Sequence, residues 1–167
     1  MSNLALTAEE ALAWHEMNSA AWKKLLTEHP EALSFTCDIA QTKTVGELLQ
    51  HIVAVELRYA ERLANLPATD YATILFDSVE AIYATHARAT TLFQQLLASD
   101  TIDWSERIEF ITRSRGPARS SRKVVFFHAL FHTARHYAQL ATLVRQHGIS
   151  PGWPMDYLFM DLEKVDN

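Results

Sequence analysis

Three histidines at four-residue intervals are the residues of this chain best suited to metal chemistry. They are His128, His132 and His136, within the stretch SRKVVFFHALFHTARHYAQLATLVRQHG. On a helix, this spacing places side chains one turn apart on nearly the same face, and two imidazoles so placed supply half of a metal site. The full series rises about 12 Å at ~1.5 Å per residue, which is too far for one ion to reach both ends. At most two of the three can therefore bind the same ion.

A further ligand must come from another segment, because a catalytic metal site commonly has three protein ligands and an exchangeable water. His51 is the best candidate, since it lies among apolar residues of an amphipathic segment. The residues alone thus predict a triad of His51 with two of the three histidines above. The alternative is that these are hydrogen-bonded histidines at the core edge or the surface. The less suitable histidines stand near the chain start, at predicted helix ends or in a stretch of Thr and Arg: His15, His29, His147 and His86.

Four predicted helices must position these side chains. Thr7 to Glu10 and Thr44 to Glu47 have the pattern of capping boxes, and apolar residues recur at helical spacing after each. We therefore predict helices over about 8–28 and 45–65, with a loop over 31–43 between them. A third helix is predicted to start between Tyr71 and Ser78 and to end at Ala98.

The segment before the last helix has a different composition. Trp104 to Thr112 predicts a short strand, whereas Arg113 to Lys123 predicts a loop with five of the chain's fifteen positive charges. A fourth helix follows, with Ser120 or Ser121 as its N-cap and Gly148 just beyond its end. The apolar tail after it is expected to fold back over the other helices.

These elements predict an all-α fold, a four-helix bundle in a single domain over residues 1–167. The length suffices for one core, and only 4 Gly and 5 Pro argue against a many-stranded β fold. The net charge of -5 disfavours nucleic-acid binding, and no window approaches the ~18 to 20 apolar residues of a membrane span. A single cysteine, Cys37, and the lack of a signal-peptide pattern make the cytoplasm the expected location.

The segment ELLQHIVAVELRYAERL has a histidine early in the second helix, and FHTARHYAQLATLVRQHGI lies near the C-terminus. Together they resemble the DinB/YfiT-like proteins, the damage-inducible DinB superfamily. In that family the last helix carries a histidine, three residues, a second histidine, two residues and commonly a Gln. The resemblance implies a bundle with a long crossover and a short irregular or β segment before the last helix. It also implies His51, His132 and His136 as metal ligands, followed by Gln139, and leaves His128 beside the ligands or in the pocket.

The resemblance further implies an activity. Family members with known activities are similar to metal-dependent enzymes that act with low-molecular-weight thiols, including thiol S-transferases and a thiol-dependent isomerase. A zinc or nickel ion on three imidazoles would then activate a small thiol toward an electrophilic small-molecule substrate. A related hydrolase or isomerase reaction fits the same site. The alternative is a non-catalytic stress or interaction protein in which the ion is structural. Apolar helix faces and the family likeness are compatible with a homodimer.

Three other features have a simple interpretation and a functional one. The loop 113–123 could receive the carboxylates of a thiol cofactor, although a solvated loop is the simpler interpretation. Aromatic residues such as Trp14, Tyr59 and Phe131 could line a pocket, although core packing is commoner at helical spacing. Glu56 lies five residues after His51, and a solvent-facing carboxylate is its default interpretation.

Overall fold

The computed structural model describes residues 5–112 and 116–163 of the chain. Within these ranges the regular structure consists of four long α-helices, one β-hairpin and a few short 3-10 turns. None of the described helices is long and apolar enough to cross a lipid bilayer. The helical bundle expected from the sequence is confirmed. In chain order the main elements are α1 (Ala8–Glu28), α2 (Val45–Leu63), α3 (Val79–Leu97), β1 (Arg107–Thr112), β2 (Gly116–Ser121) and α4 (Arg122–Gln146).

The helices pack in a square. Helix α2 packs against α3 and α4, and α1 packs against the same two helices from the other side. Helices α1 and α2 are therefore diagonal to each other, as are α3 and α4. The links from α1 to α2 and from α3 to α4 both cross between diagonal positions. This arrangement brings the face of α2 that carries His51 against α4.

Side-chain caps begin the helices as the sequence predicts. The Thr7 hydroxyl accepts the Glu10 amide N–H at 3.1 Å, and the Glu10 carboxylate accepts the Thr7 amide N–H at 2.8 Å, which completes the capping box of α1. Ser121 caps α4 by accepting the Val124 amide N–H. Ser78, the last residue of the predicted start range, caps α3 in the same way, so that α3 begins at Val79. Residues Tyr71–Thr73 form a separate 3-10 turn.

Two helices end in the same left-handed motif. After α4, Gly148 has φ +81°, and the amides of Gly148 and Ile149 donate to the carbonyls of Arg145 and Val144. This is a Schellman motif, with glycine at the position that requires positive φ. Asn65 has φ 56° and takes that position after α2, so that α2 ends at residue 63 and not at 65. The loop predicted over 31–43 is confirmed apart from two short 3-10 turns.

The prediction of a loop over 113–123 is wrong for residues 116–121, which form strand β2. Strands β1 and β2 pair antiparallel, from Thr112 opposite Gly116 to Arg107 opposite Ser121. Residues 113–115, including Arg113 and Arg115, lie outside the described residues. Glycine, proline and serine made this segment resemble a turn, whereas backbone pairing with β1 satisfies its amides.

Arg122 joins the hairpin to the helices and is almost fully buried. Its Nε donates to the Glu106 carboxylate at 2.8 Å, its Nη1 donates to the Leu63 carbonyl, and its Nη2 lies 3.3 Å from Asn65 Oδ1. The guanidinium of Arg122 thus hydrogen-bonds to residues at the C-terminal end of α2 and to Glu106. These contacts leave no side of the guanidinium open to an anionic ligand.

The core consists of two apolar clusters stacked along the bundle. One is built around Trp22, Leu49 and Ile82, and the other around Leu57 and Phe126. The tail folds back on the first cluster through Trp153 and Met155, as expected. Its later part is less covered, since Leu158 is 67% exposed. The boundary between the two clusters is occupied by polar side chains.

Candidate metal centre

Three imidazoles meet where α2 packs against α4. The Nε2 atoms of His51 and His132 are 3.1 Å apart, and the ring centroids of His132 and His136 are 4.5 Å apart. The candidate ligand atoms of all three lie within 4.8 Å of one another. Tetrahedral metal–nitrogen bonds of about 2.0–2.1 Å would place ligand nitrogens about 3.4 Å apart. The three histidines named from the sequence are therefore brought together, and the 3.1 Å between the Nε2 atoms of His51 and His132 is close to this separation.

Gln139 determines which nitrogen of His136 can bind a metal. Its side-chain oxygen lies 2.7 Å from His136 Nδ1, so that Nδ1 carries the hydrogen and donates it. The lone pair is then on Nε2, toward which an Arg135 N–H points at 3.2 Å. A hydrogen bond of this kind fixes the tautomer and ring orientation of metal-binding histidines. The family resemblance pointed to Gln139, and the contact with His136 Nδ1 gives the residue this role.

Both histidines that α4 contributes to the triad favour the neutral form that metal binding requires. Burial, and then the neighbouring His136 and His51, lower the pKa of His132 to about 2. Burial likewise lowers the pKa of His136, although the Gln139 hydrogen bond opposes this. The buried Nδ1 of His132 has no hydrogen-bond partner among the described residues. Three imidazoles whose candidate ligand atoms lie within 4.8 Å of one another are a donor set that fits a divalent transition metal.

A sequence model of the DinB family matches residues 1–164. The chain belongs to the DinB family. The matched region includes all four helices and each segment that contributes a histidine to the triad. No match was found among curated proteins.

In this DinB-family chain, His128 stays outside the cluster, as the family resemblance implies. Its ring is 5.7 Å from that of His132 and 5.4 Å from that of Tyr59. The side chain is exposed, and burial of part of the ring together with Arg135 lowers its pKa. His128 therefore lies at the rim of the site, one turn from the nearest member of the triad.

A cavity of about 660 Å³ adjoins the triad at His51. Its walls include the apolar side chains of Val55 and Ile111, and two arginines of α2, Arg58 and Arg62, also line it. The Nε of Arg58 is buried and has no hydrogen-bond partner within the described part of the chain. Arg62 lies over the Tyr59 ring at 5.4 Å and donates to a backbone carbonyl of β1.

Neither arginine was predicted from the sequence to have a functional role. They stand seven and eleven residues after His51, a spacing that keeps all three on one face of α2. This helical spacing from His51 is the sequence feature from which Arg58 and Arg62 could have been predicted. The sequence offered an anion-binding role to the arginines of the Arg-rich segment instead, where Arg119 is exposed on β2 and Arg122 is buried and hydrogen-bonded to the protein. Among the aromatic candidates, Tyr59 lines the cavity, whereas Phe131 is 49% exposed.

The interpretation of Glu56 as a solvent-facing carboxylate is wrong, because its side chain is fully buried. Glu56 Oε2 lies 2.7 Å from His86 Nδ1, and Glu56 Oε1 lies 3.3 Å from His15 Nε2. Helix α2 packs against both α3 and α4, so that the face of α2 that carries Glu56 is covered as well as the face that carries His51. His15 and His86, which looked unsuited to a metal site from their local sequence, form a second cluster with Glu56.

Proposed function

We propose that this DinB-family chain binds one divalent transition metal ion through His51, His132 and His136 and uses it in thiol-dependent transfer chemistry. The observation that carries the proposal is the convergence of three imidazoles from α2 and α4 beside a cavity of about 660 Å³. Zinc and nickel both suit an all-imidazole donor set. A metal held there would lower the pKa of a coordinated water or thiol and so supply a nucleophile near neutral pH.

The protein residues around the triad have separate tasks. Gln139 accepts the Nδ1 hydrogen of His136, so that Nε2 is the nitrogen left to bind the metal. The apolar side chains of Val55 and Ile111 form one part of the cavity wall. The Nε of Arg58 has no hydrogen-bond partner among residues 5–112 and 116–163. It supports a substrate or thiol that carries an anionic group, since a buried guanidinium N–H without a partner is costly.

Arg58 and Arg62 thus take the role that was considered for the Arg-rich segment. Both line the same cavity as His51, so that a carboxylate bound by Arg58 would place the rest of a small thiol close to the triad. A thiol with one or more carboxylates is the cofactor class that these charges favour. The electrophile would enter from the apolar side of the cavity.

The experiment is a conjugation assay with zinc- or nickel-loaded protein. A panel of small thiols, including glutathione and mercaptoethanol, is mixed with a chlorodinitrobenzene, and thioether formation is followed by absorbance. In this reaction the sulfur–carbon bond forms, chloride leaves, and the thiol proton passes to the buffer. We expect metal-dependent conjugation that falls to the uncatalysed background in His136→Ala.

His29→Gln is the control variant, because His29 is half exposed at the end of α1 and far in sequence from the triad. It should retain the full rate. Metal bound at one equivalent to the triad with no conjugation of any thiol would instead favour the alternative of a structural ion. Absence of metal from the triad would refute the proposal as a whole.

A further inference from the structure

One polar layer crosses the centre of the bundle, with one side chain from each helix. His15 comes from α1, Glu56 from α2, His86 from α3 and Thr133 from α4. These residues separate the two apolar clusters of the core along each helix. Four polar groups at one level of an otherwise apolar core are costly to bury, and they persist only when they satisfy one another or a ligand.

Glu56 is the centre of this layer. Its Oε1 accepts the Thr133 hydroxyl at 2.7 Å and faces His15 Nε2 at 3.3 Å, and its Oε2 faces His86 Nδ1 at 2.7 Å. A fully buried carboxylate needs a positive partner. That partner is either a protonated imidazole of His15 or His86, or a metal ion bound by His15, Glu56 and His86. The two alternatives predict different metal contents.

The distances are compatible with a metal ion. The candidate ligand atoms of His15, Glu56 and His86 lie within 4.8 Å of one another. Ligand atoms of a tetrahedral zinc site are about 3.4 Å apart, which the 3.3 Å between His15 Nε2 and Glu56 Oε1 nearly equals. The 2.7 Å contact of His86 with Glu56 is shorter, so that the His86 ring would retreat by several tenths of an ångström. Two histidines and one carboxylate are an established donor set for zinc and for ferrous iron.

The surroundings supply what a metal site of this type needs. The Thr133 hydroxyl orients the carboxylate, and the Thr90 hydroxyl lies 3.4 Å from the other nitrogen of His86. His15 also lines a second cavity of about 400 Å³, together with Trp14 of α1, Tyr137 of α4 and Met155 of the tail. This cavity gives an ion and its water a route to the layer that does not pass the triad.

We infer that His15, Glu56 and His86 form a second metal-binding site, in the core of the bundle, for a divalent first-row transition metal ion. The inference is independent of the triad. Ligand sites in helical bundles are built from side chains on facing helices, and here three helices contribute one ligand each. A metal at this position would tie α1, α2 and α3 together and add its binding energy to the stability of the fold.

The test uses the full chain with the triad removed. The double variant His132→Gln/His136→Gln is loaded with Zn²⁺, separated from free metal by gel filtration and assayed by elemental analysis. We expect one equivalent of zinc in this variant against two in the unmodified chain. Zinc should also raise its thermal unfolding temperature. Adding His86→Gln, or His15→Gln in a separate variant, should bring the zinc content close to zero, whereas adding His29→Gln should leave one equivalent.

Glutamine at 15 or 86 can still donate a hydrogen bond to Glu56, and circular dichroism before loading verifies that the helices are intact. A folded double variant that retains no zinc would overturn the inference and leave a proton as the partner of Glu56. Zinc that persists after both His86→Gln and His15→Gln would overturn it as well. The visible spectrum of the Co²⁺-loaded double variant gives an independent readout: it should have the d–d bands of a protein-bound ion, and the spectrum of hexaaqua cobalt would contradict the inference.

Discussion

The Nδ1 atom of His136 lies 2.7 Å from the Oε1 atom of Gln139, one helical turn further along α4. This contact fixes the hydrogen of the imidazole on Nδ1 and leaves the lone pair on Nε2. A residue outside the ligand set thereby decides how one ligand is oriented. Metal binding at the proposed centre therefore depends on Gln139 as well as on the three histidines.

Replacing Gln139 by Leu should weaken zinc binding at the triad by about 10- to 100-fold, the usual cost of losing a partner that orients a metal-binding histidine. Gln139→Glu keeps an acceptor for Nδ1–H and should bind at least as tightly as the unmodified chain. Chelator competition measures both affinities. To isolate the triad, the measurement is made with His86→Gln as the background. Equal affinities for the Leu and Glu variants would show that the hydrogen bond has no such role.

Removing the charge of Arg58 should affect anionic thiols selectively. In Arg58→Met we expect the KM for glutathione to rise by about 10-fold or more, because a charge-assisted hydrogen bond contributes about 1.5–3 kcal/mol. The KM for mercaptoethanol, which has no carboxylate, should change little. Metal content should be unaffected, since Arg58 is not among the three candidate ligands. A parallel rise for both thiols would contradict the assignment of Arg58 to an anionic group.

Arg122 should contribute to stability and not to metal binding. Arg122→Met removes its bonds to Glu106, Asn65 and the Leu63 carbonyl, and leaves that buried carbonyl without its guanidinium donor. We expect the free energy of unfolding to fall by about 2–4 kcal/mol in urea titrations. Arg119→Met on the neighbouring strand is the matched control, with a change within about 0.5 kcal/mol. Equal effects of the two substitutions would contradict the role given to Arg122.

The pair of His86 and Glu56 should make the stability of the metal-free chain depend on pH. Burial lowers the pKa of His86, but the charge and hydrogen bond of Glu56 outweigh it and raise the pKa above 6.5. Burial raises the pKa of Glu56, but the charges of His86 and His15 outweigh it and lower the pKa below 4.5. The stabilisation by His86 is therefore complete below pH 6.5 and is lost as the pH rises through its raised pKa. The stabilisation by Glu56 is present above pH 4.5 and is lost as the pH falls through the lowered pKa of Glu56.

The measurement compares the unmodified chain with His86→Gln in the presence of a chelator, by urea unfolding between pH 5 and 9. The stability advantage of the unmodified chain should be largest near pH 5 to 6 and shrink above pH 6.5, by at most about 1.4 kcal/mol per pH unit. The difference removes the contributions of the other histidines. An advantage that grows as the pH rises would contradict the assignment.

Local chemistry made much of the fold predictable. Thr7, Ser121 and Gly148 act within one turn of a helix end, so that their roles follow from residue type and position alone. The triad was also within reach, because its spacing on α4 and the family resemblance together selected His132 and His136. By contrast, strand β2 forms only because β1 is there to pair with it. The amide groups of a Gly-Pro-Ser segment give no indication of such a partner.

Glu56 and the layer around it could not have been predicted, since their burial depends on which helices are neighbours. Helix α2 is covered by α3 on one side and α4 on the other, which encloses a face that the sequence of α2 alone marks as polar. His15 and His86 are 71 residues apart in the sequence, so that no spacing rule connects them. Single-domain organisation, a homodimer and a cytoplasmic location stay predictions.

The central claim is that one metal ion is bound by His51, His132 and His136. A crystal structure of the zinc-loaded chain, with anomalous data collected at the zinc edge, tests it most directly. We predict an anomalous peak bonded to Nε2 of all three histidines at about 2.0–2.1 Å, with His128 uncoordinated. A folded, zinc-loaded chain with no peak at the triad, or with a peak bonded to His128 in place of His136, would contradict the claim.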